Sequence, residues 1–347
     1  ETTPVLVVQS DSHYSIARAA GMIGIGTGNV MKVRLDERRR MDPNHLDEIL
    51  AGLRKQGTPI VAVGACACAT PIGAFDPLPE IAEVCRRHEV WLHVDAAHGG
   101  AASLSQKYRH LIAGLELADS VVTDAHKMMF VPALCAFVFY RNRDHRFEAF
   151  RQDAPYLFDP SSPGLAEYDS GMLTPECTKR AACYGLWGMW SLFGQQLFSD
   201  MVDQTFDLGR VFHEKLMEAC DFEPLHEPQC NIVAFQYVPD AMRHVSLEKL
   251  NQFLLELRPQ NQSRCRNLMM MASRIASPVR PLSRNLHRQY RRPETQRLIL
   301  CLFLTPATVA QVGGERIYSF LNIPTSATQA ALGGEALTVK DNVNQPL

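Results

Sequence analysis

Over the first 140 positions, apolar residues fall into short dense runs separated by stretches with helical spacing. Pro4-Val5-Leu6-Val7-Val8-Gln9 is apolar and β-branched, the pattern of a buried strand. Ser10 to His13 then supply capping residues, and residues 14–22 carry small and apolar side chains at helical spacing. Gly21, Gly24, Gly26 and Gly28 follow that helix and not a strand, so they predict a helix stop and a turn, not a dinucleotide-binding loop. Further strands are predicted over 30–35, 59–65, 90–94 and 120–123, with an antiparallel one over 134–140. Asp42-Pro43 opens a helix to about Lys55 with Leu46, Ile49, Leu50 and Leu53 on one face. Residues 78–88 form another, and 106–112 a short one. Strands alternating with helices through short links predict an α/β domain around a largely parallel sheet.

The pattern loosens after residue 150. Residues 150–178 are irregular and proline-bearing, which predicts a long mobile loop of the kind that closes over a site. Helices are expected over 179–193 and 195–220, a strand over 231–237 and a helix over 246–257. The expected organisation is a large domain (1–199), a small C-terminal α/β domain (200–257) and an atypical tail (258–347). Between Arg258 and Arg297 stand ten arginines, no lysine and one glutamate. With no aromatic interleaving and no recognisable module, that run reads as a poorly ordered tail and not as a nucleic-acid site.

Composition narrows the class without naming it. Hydrophobic residues at 46% and charged residues at 21% are an ordinary globular balance, and a net charge of -2 gives no general attraction to nucleic acid or anionic membrane. No apolar run reaches transmembrane length and no signal peptide is visible. The ten cysteines include one Cys-x-Cys and no Cys-x-x-Cys, which fits free thiols in a reducing cytoplasm better than a disulfide framework or a metal site. The sequence opens on Glu1 and enters a strand almost at once, so it reads as part of something longer.

Two strand ends carry the candidate chemistry. Trp91-Leu92-His93-Val94-Asp95-Ala96-Ala97-His98 delivers a carboxylate, and Asp124-Ala125-His126-Lys127 a lysine. Open parallel sheets hold ligands beyond the carboxyl ends of their strands, where both would lie. A lysine amine that takes the aldehyde of pyridoxal phosphate as a Schiff base, with a carboxylate facing the pyridine nitrogen, needs those two groups. The plainer alternative is a helix-capping Asp95 and a solvated Lys127. Cys66-Ala67-Cys68-Ala69-Thr70-Pro71, with Ile72-Gly73-Ala74-Phe75-Asp76 after it, is either a close approach to a flat ligand or a tightly packed turn.

In order along the chain, Ser10-Asp11-Ser12-His13-Tyr14-Ser15, Ala69-Thr70-Pro71-Ile72-Gly73-Ala74-Phe75-Asp76, His93-Val94-Asp95-Ala96-Ala97, Ala118-Asp119-Ser120, His126-Lys127 and Pro155-Tyr156-Leu157 resemble the group II pyridoxal phosphate decarboxylases. That family includes the glutamate, cysteine sulfinate, diaminobutyrate and aromatic amino-acid decarboxylases. The resemblance spans roughly residues 5–257. It implies a fold type I (aspartate aminotransferase-like) architecture, mostly parallel with helices on both faces. The cofactor implied is pyridoxal 5'-phosphate and the assembly a homodimer.

The resemblance also implies roles. Lys127 would hold the cofactor, Asp95 would keep its ring nitrogen protonated, and His13 and Ala97 would sandwich the ring. Thr70 and His126 would contact it, and Tyr156, on the mobile loop, would return a proton to the substrate. Together these imply α-decarboxylation of an L-amino acid, acidic by the look of His126-Lys127-Met128-Met129 and Tyr168-Asp169-Ser170-Gly171, with diaminobutyrate as the alternative. A non-catalytic chain that pairs with a full-length subunit is the other expectation, because the family's phosphate-binding loop would lie upstream of His13. Cys68 stands where many members have glycine and His98 where an aromatic residue is common. Beyond about Leu257 the family's pattern is not recognisable.

Overall fold

The first apolar run forms β1 (Val5–Gln9), with Val7 and Val8 at most 1% exposed, and leads into α1 (Tyr14–Met22). His13 caps that helix, its Nδ1 accepting the Ser15 N–H at 3.4 Å. The chain then turns through Gly24 and Gly26, whose φ values of +85° and +89° favour glycine. β2 (Val30–Val33) follows, and α2 (Pro43–Lys55) starts where Asp42 Oδ1 accepts from Asn44 N and His45 N. Leu46, Leu50 and Leu53 are buried, whereas Ile49 is half-buried at the margin of the apolar stripe.

The computed structural model describes residues 2–131, 134–150, 170–176 and 179–260, all within a unit running from Glu1 to Ala276. Most of the expected mobile loop with Tyr156, and the tail from residue 261, lie outside the described residues.

β3 (Ile60–Ala69) runs four residues past its expected end. The small Cys-Ala-Cys-Ala stretch stays extended because β4 (Ala74–Phe75) folds back to pair with Ala67 and Ala69. The structure continues through α3 (Leu78–Arg87), β5 (Leu92–Asp95), β6 (Ser120–Asp124), β7 (Ala136–Tyr140) and α4 (His145–Glu148). The short helix expected over 106–112 is a 3-10 turn, Arg109–Ile112, and a second one, Gly99–Leu104, follows β5. α5 (Cys183–Glu218) is two helices joined at Gly194 (φ 71°), the break that the sequence spacing places between 193 and 195. β8 (Phe222–Pro224) and β9 (Phe235–Tyr237) make a separate antiparallel pair, and α6 (Leu247–Gln260) follows. β9 is shorter than the strand expected from residue 231, and β8 was too short to show a period.

The main sheet has the order β2-β1-β3-β5-β6-β7, with β4 on β3. β2, β1, β3, β5 and β6 pair in parallel, and β7 returns antiparallel to β6. This is the expected, mostly parallel α/β architecture. Alternate residues Val5, Val7, Val63, Ala65, Leu92 and Val94 are buried on one face. On the other, Val8, Gly64, His93, Ser120 and Ile16 line a cavity of about 570 Å³. The seven cysteines among the described residues are all free, and no described helix is long and apolar enough to cross a membrane.

Candidate active site

Parallel pairing sets the carboxyl ends of β1, β3, β5 and β6 along one edge of the sheet. Asp95, the last residue of β5, lies opposite Cys66 of β3 and Val122 of β6. Its Oδ1 accepts the Ala97 N–H at 3.1 Å, while Oδ2 accepts no hydrogen bond from the described residues. The segment beyond β5 is stitched to β6: Ala96 N–H donates to Val122 O at 2.9 Å, and Asp124 N–H to Ala97 O at 3.1 Å. Asp95, Ala97 and Asp124 therefore share one local frame.

Lys127 follows β6 on a tight turn and is about a third exposed. Its Nζ stands 3.0 Å from Asp124 Oδ2, and its backbone N–H donates to Asp124 O. The turn is held from the far side as well. His126 Nδ1 lies 2.9 Å from Cys135 O and 3.1 Å from Cys135 N, and Ala125 N–H donates to Cys135 O at 2.9 Å.

The remaining expected positions are distributed around that edge. His13 lies four residues beyond β1, half-buried, with Nδ1 2.7 Å from Ser15 Oγ. Thr70 is exposed immediately after β3. Tyr156 lies outside the described residues.

Three further groups went unassigned in the sequence. Asp124 pairs with Lys127, and its only sequence signal is the three-residue spacing. His98, one residue past Ala97, places Nε2 2.8 Å from Asn231 Oδ1. Burial holds the His98 ring below its ordinary pKa; the Asn231 hydrogen bond opposes that and the Lys127 charge adds to it. Asp76 is buried at the foot of the β3–β4 hairpin, where burial pushes its carboxyl up to about 6.

Comparison with known proteins places this arrangement. The family model of the pyridoxal-dependent decarboxylase conserved domain matches residues 1–238. The acidic amino acid decarboxylase GADL1 of Mus musculus is 35% identical over 242 residues, covering 70% of this chain and 44% of that protein. The cysteine sulfinic acid decarboxylase of Homo sapiens is 36% identical over 239 residues, covering 69% and 48%. A crystal structure of mouse CSAD superposes with a TM-score of 0.69 at 33% identity, covering 76% of this chain and 55% of that one. The chain spans about half the length of the curated relatives it matches. The sheet order, the carboxylate and lysine on adjoining strand ends, and a match over residues 1–238 agree on one assignment: the chain belongs to the pyridoxal-dependent decarboxylase family.

Proposed function

We propose that this chain carries the cofactor end of a carboxy-lyase that removes the α-carboxyl group of an acidic L-amino acid: glutamate, aspartate or cysteine sulfinate. The observation that carries the reading is Asp95 and Lys127 at the carboxyl ends of neighbouring parallel strands, with Asp95 Oδ2 left without a hydrogen bond among the described residues. Those groups fit pyridoxal phosphate: a primary amine for its aldehyde and a half-buried carboxylate with one oxygen free for its ring nitrogen. When bound, the cofactor supplies a cationic ring that takes up the electron pair left as CO2 departs.

The chain's own residues position and neutralise. Asp124 Oδ2, 3.0 Å away, holds the Lys127 amine at the strand end. Asp95 places negative charge where the ring nitrogen must stay protonated. His13 and Ala97 are assigned to the two ring faces, and Thr70 to the cofactor's edge. His126 steadies the turn through Cys135. Tyr156 is assigned the proton returned to the substrate carbon. The acidic substrate class is supported by the names of the two relatives. A homodimer is the assigned assembly, which the exposed aromatic side chains Tyr184 (68%) and Trp187 (66%) on α5 support.

The test is to add pyridoxal phosphate to the purified chain and follow bound chromophore and CO2 together over a panel of acidic amino acids and diaminobutyrate. A visible cofactor band, and CO2 from an acidic substrate, are expected; Lys127→Ala should lose both. CO2 from diaminobutyrate alone would reassign the substrate, and a keto acid without CO2 would exclude decarboxylation. A chain that binds no chromophore and releases nothing is instead a non-catalytic partner of a longer subunit.

A further inference from the structure

Three side chains without a part in that reaction converge where the β3–β4 hairpin, the turn after β5 and the segment before β9 meet. Cys68 and Cys230 are 6% and 1% exposed, and their sulfurs stand 3.9 Å apart although 162 residues separate them in sequence. A ring nitrogen of His98 completes the group, with all three atoms within 4.8 Å of one another. We propose that Cys68, His98 and Cys230 bind a soft divalent cation, zinc foremost, with the fourth position open. The site is independent of pyridoxal phosphate.

The geometry favours a metal over a bond between the sulfurs. Tetrahedral zinc holds each sulfur at about 2.3 Å, which sets two sulfurs about 3.8 Å apart. A disulfide needs about 2.05 Å, roughly half the observed separation. The sulfur–nitrogen edge of such a tetrahedron is about 3.6 Å, so from within 4.8 Å the imidazole closes by about 1.2 Å at most. His98 Nε2 donates to Asn231 Oδ1, because an amide oxygen only accepts; the neutral ring then keeps a lone pair on Nδ1. An outer hydrogen bond of that kind is what orients a metal-binding histidine.

Close backbone approach builds the site. A Cβ on Gly73 would fall 2.5 Å from Cys230 Sγ, one on Gly99 would fall 2.7 Å from Cys68 N, and one on Gly209 would fall 2.5 Å from Cys230 O. Two thiolates and an imidazole select zinc and its soft neighbours against calcium or magnesium. Each thiol gives up its proton to solvent on coordination.

The full chain, reduced with a phosphine and stripped of metal, is titrated with zinc against a chromophoric chelator, without pyridoxal phosphate. One equivalent should bind, at least about 100-fold more weakly in Cys68→Ser/Cys230→Ser and about 10- to 100-fold more weakly in Asn231→Ala. Cobalt in the wild-type chain should show the intense visible bands of tetrahedral thiolate coordination, and His98→Phe should change them. Wild-type binding below about a tenth of an equivalent overturns the proposal. So does zinc binding in the double serine variant as tight as in the wild type, which would place the metal on other cysteines. Circular dichroism of each variant checks folding, and should the double serine variant not fold, cobalt bands that His98→Phe leaves unchanged overturn the proposal.

Discussion

Asp76 joins three segments through one carboxyl group. Its Oδ1 accepts from Gln9 Nε2 at 3.0 Å and from Met41 N at 2.7 Å, and its Oδ2 accepts from Cys66 N at 2.7 Å. Enclosure disfavours the charged form and the three donors favour it; burial prevails, moving the pKa from 3.8 to about 6. A carboxyl with a raised folded pKa holds its proton more tightly in the folded chain. Its stabilising contribution is therefore complete below 3.8 and is lost as the pH rises through about 6. That gap corresponds to about 3 kcal/mol. Asp76→Asn cannot titrate; it carries instead a fixed penalty of about 1–3 kcal/mol, because one amide nitrogen would face the Cys66 N–H. Urea denaturation of both chains from about pH 4 to about pH 7.5 reads the difference. Wild-type stability minus variant stability should fall by about 3 kcal/mol across that range. A difference that stays flat, or grows with pH, would mean that the three donors outweigh burial, and the reasoning would fail.

Other substitutions test the scaffold. Gly209→Ala would set a Cβ 2.5 Å from Cys230 O and 2.9 Å from Asn231 Cα, both backbone atoms; a loss of about 1–3 kcal/mol is expected in thermal or urea denaturation. Gly52→Ala, with nothing within 4 Å of the new Cβ, should raise stability by about 0.5–1 kcal/mol in the same assay. Asp42→Ala removes the cap on Asn44 N and His45 N and should cost about 1 kcal/mol; an unchanged melting curve would deny the cap its role.

Strands and helices were legible wherever one local rule decided them. β-branched runs gave β1 and β6, Asp42-Pro43 gave the start of α2, and Gly194 gave the break in α5. Boundaries failed where pairing overrode composition, as at β3, which β4 keeps extended to Ala69. The adjoining positions of Asp95 and Lys127 were legible because parallel strands deliver their ends to one edge. Asn231 and Cys230 were not, since they reach His98 and Cys68 from more than 130 residues away. A spacing rule for metal ligands reads neighbours in sequence, and these ligands are neighbours only after folding.

The link between β6 and β7 has a mechanical consequence. The two strands are antiparallel and in register from Ser120 with Tyr140 to Asp124 with Ala136, so the chain leaves and re-enters the sheet at the same point. Ala125 N–H closes on Cys135 O, and Val131 N–H closes back on Ala125 O. Lys127 thus rides on a loop clamped at its base, as a tool is held in a vice. The reach of its amine is set by four side-chain torsions beyond that base, and the Asp124 carboxylate, 3.0 Å away, limits even those.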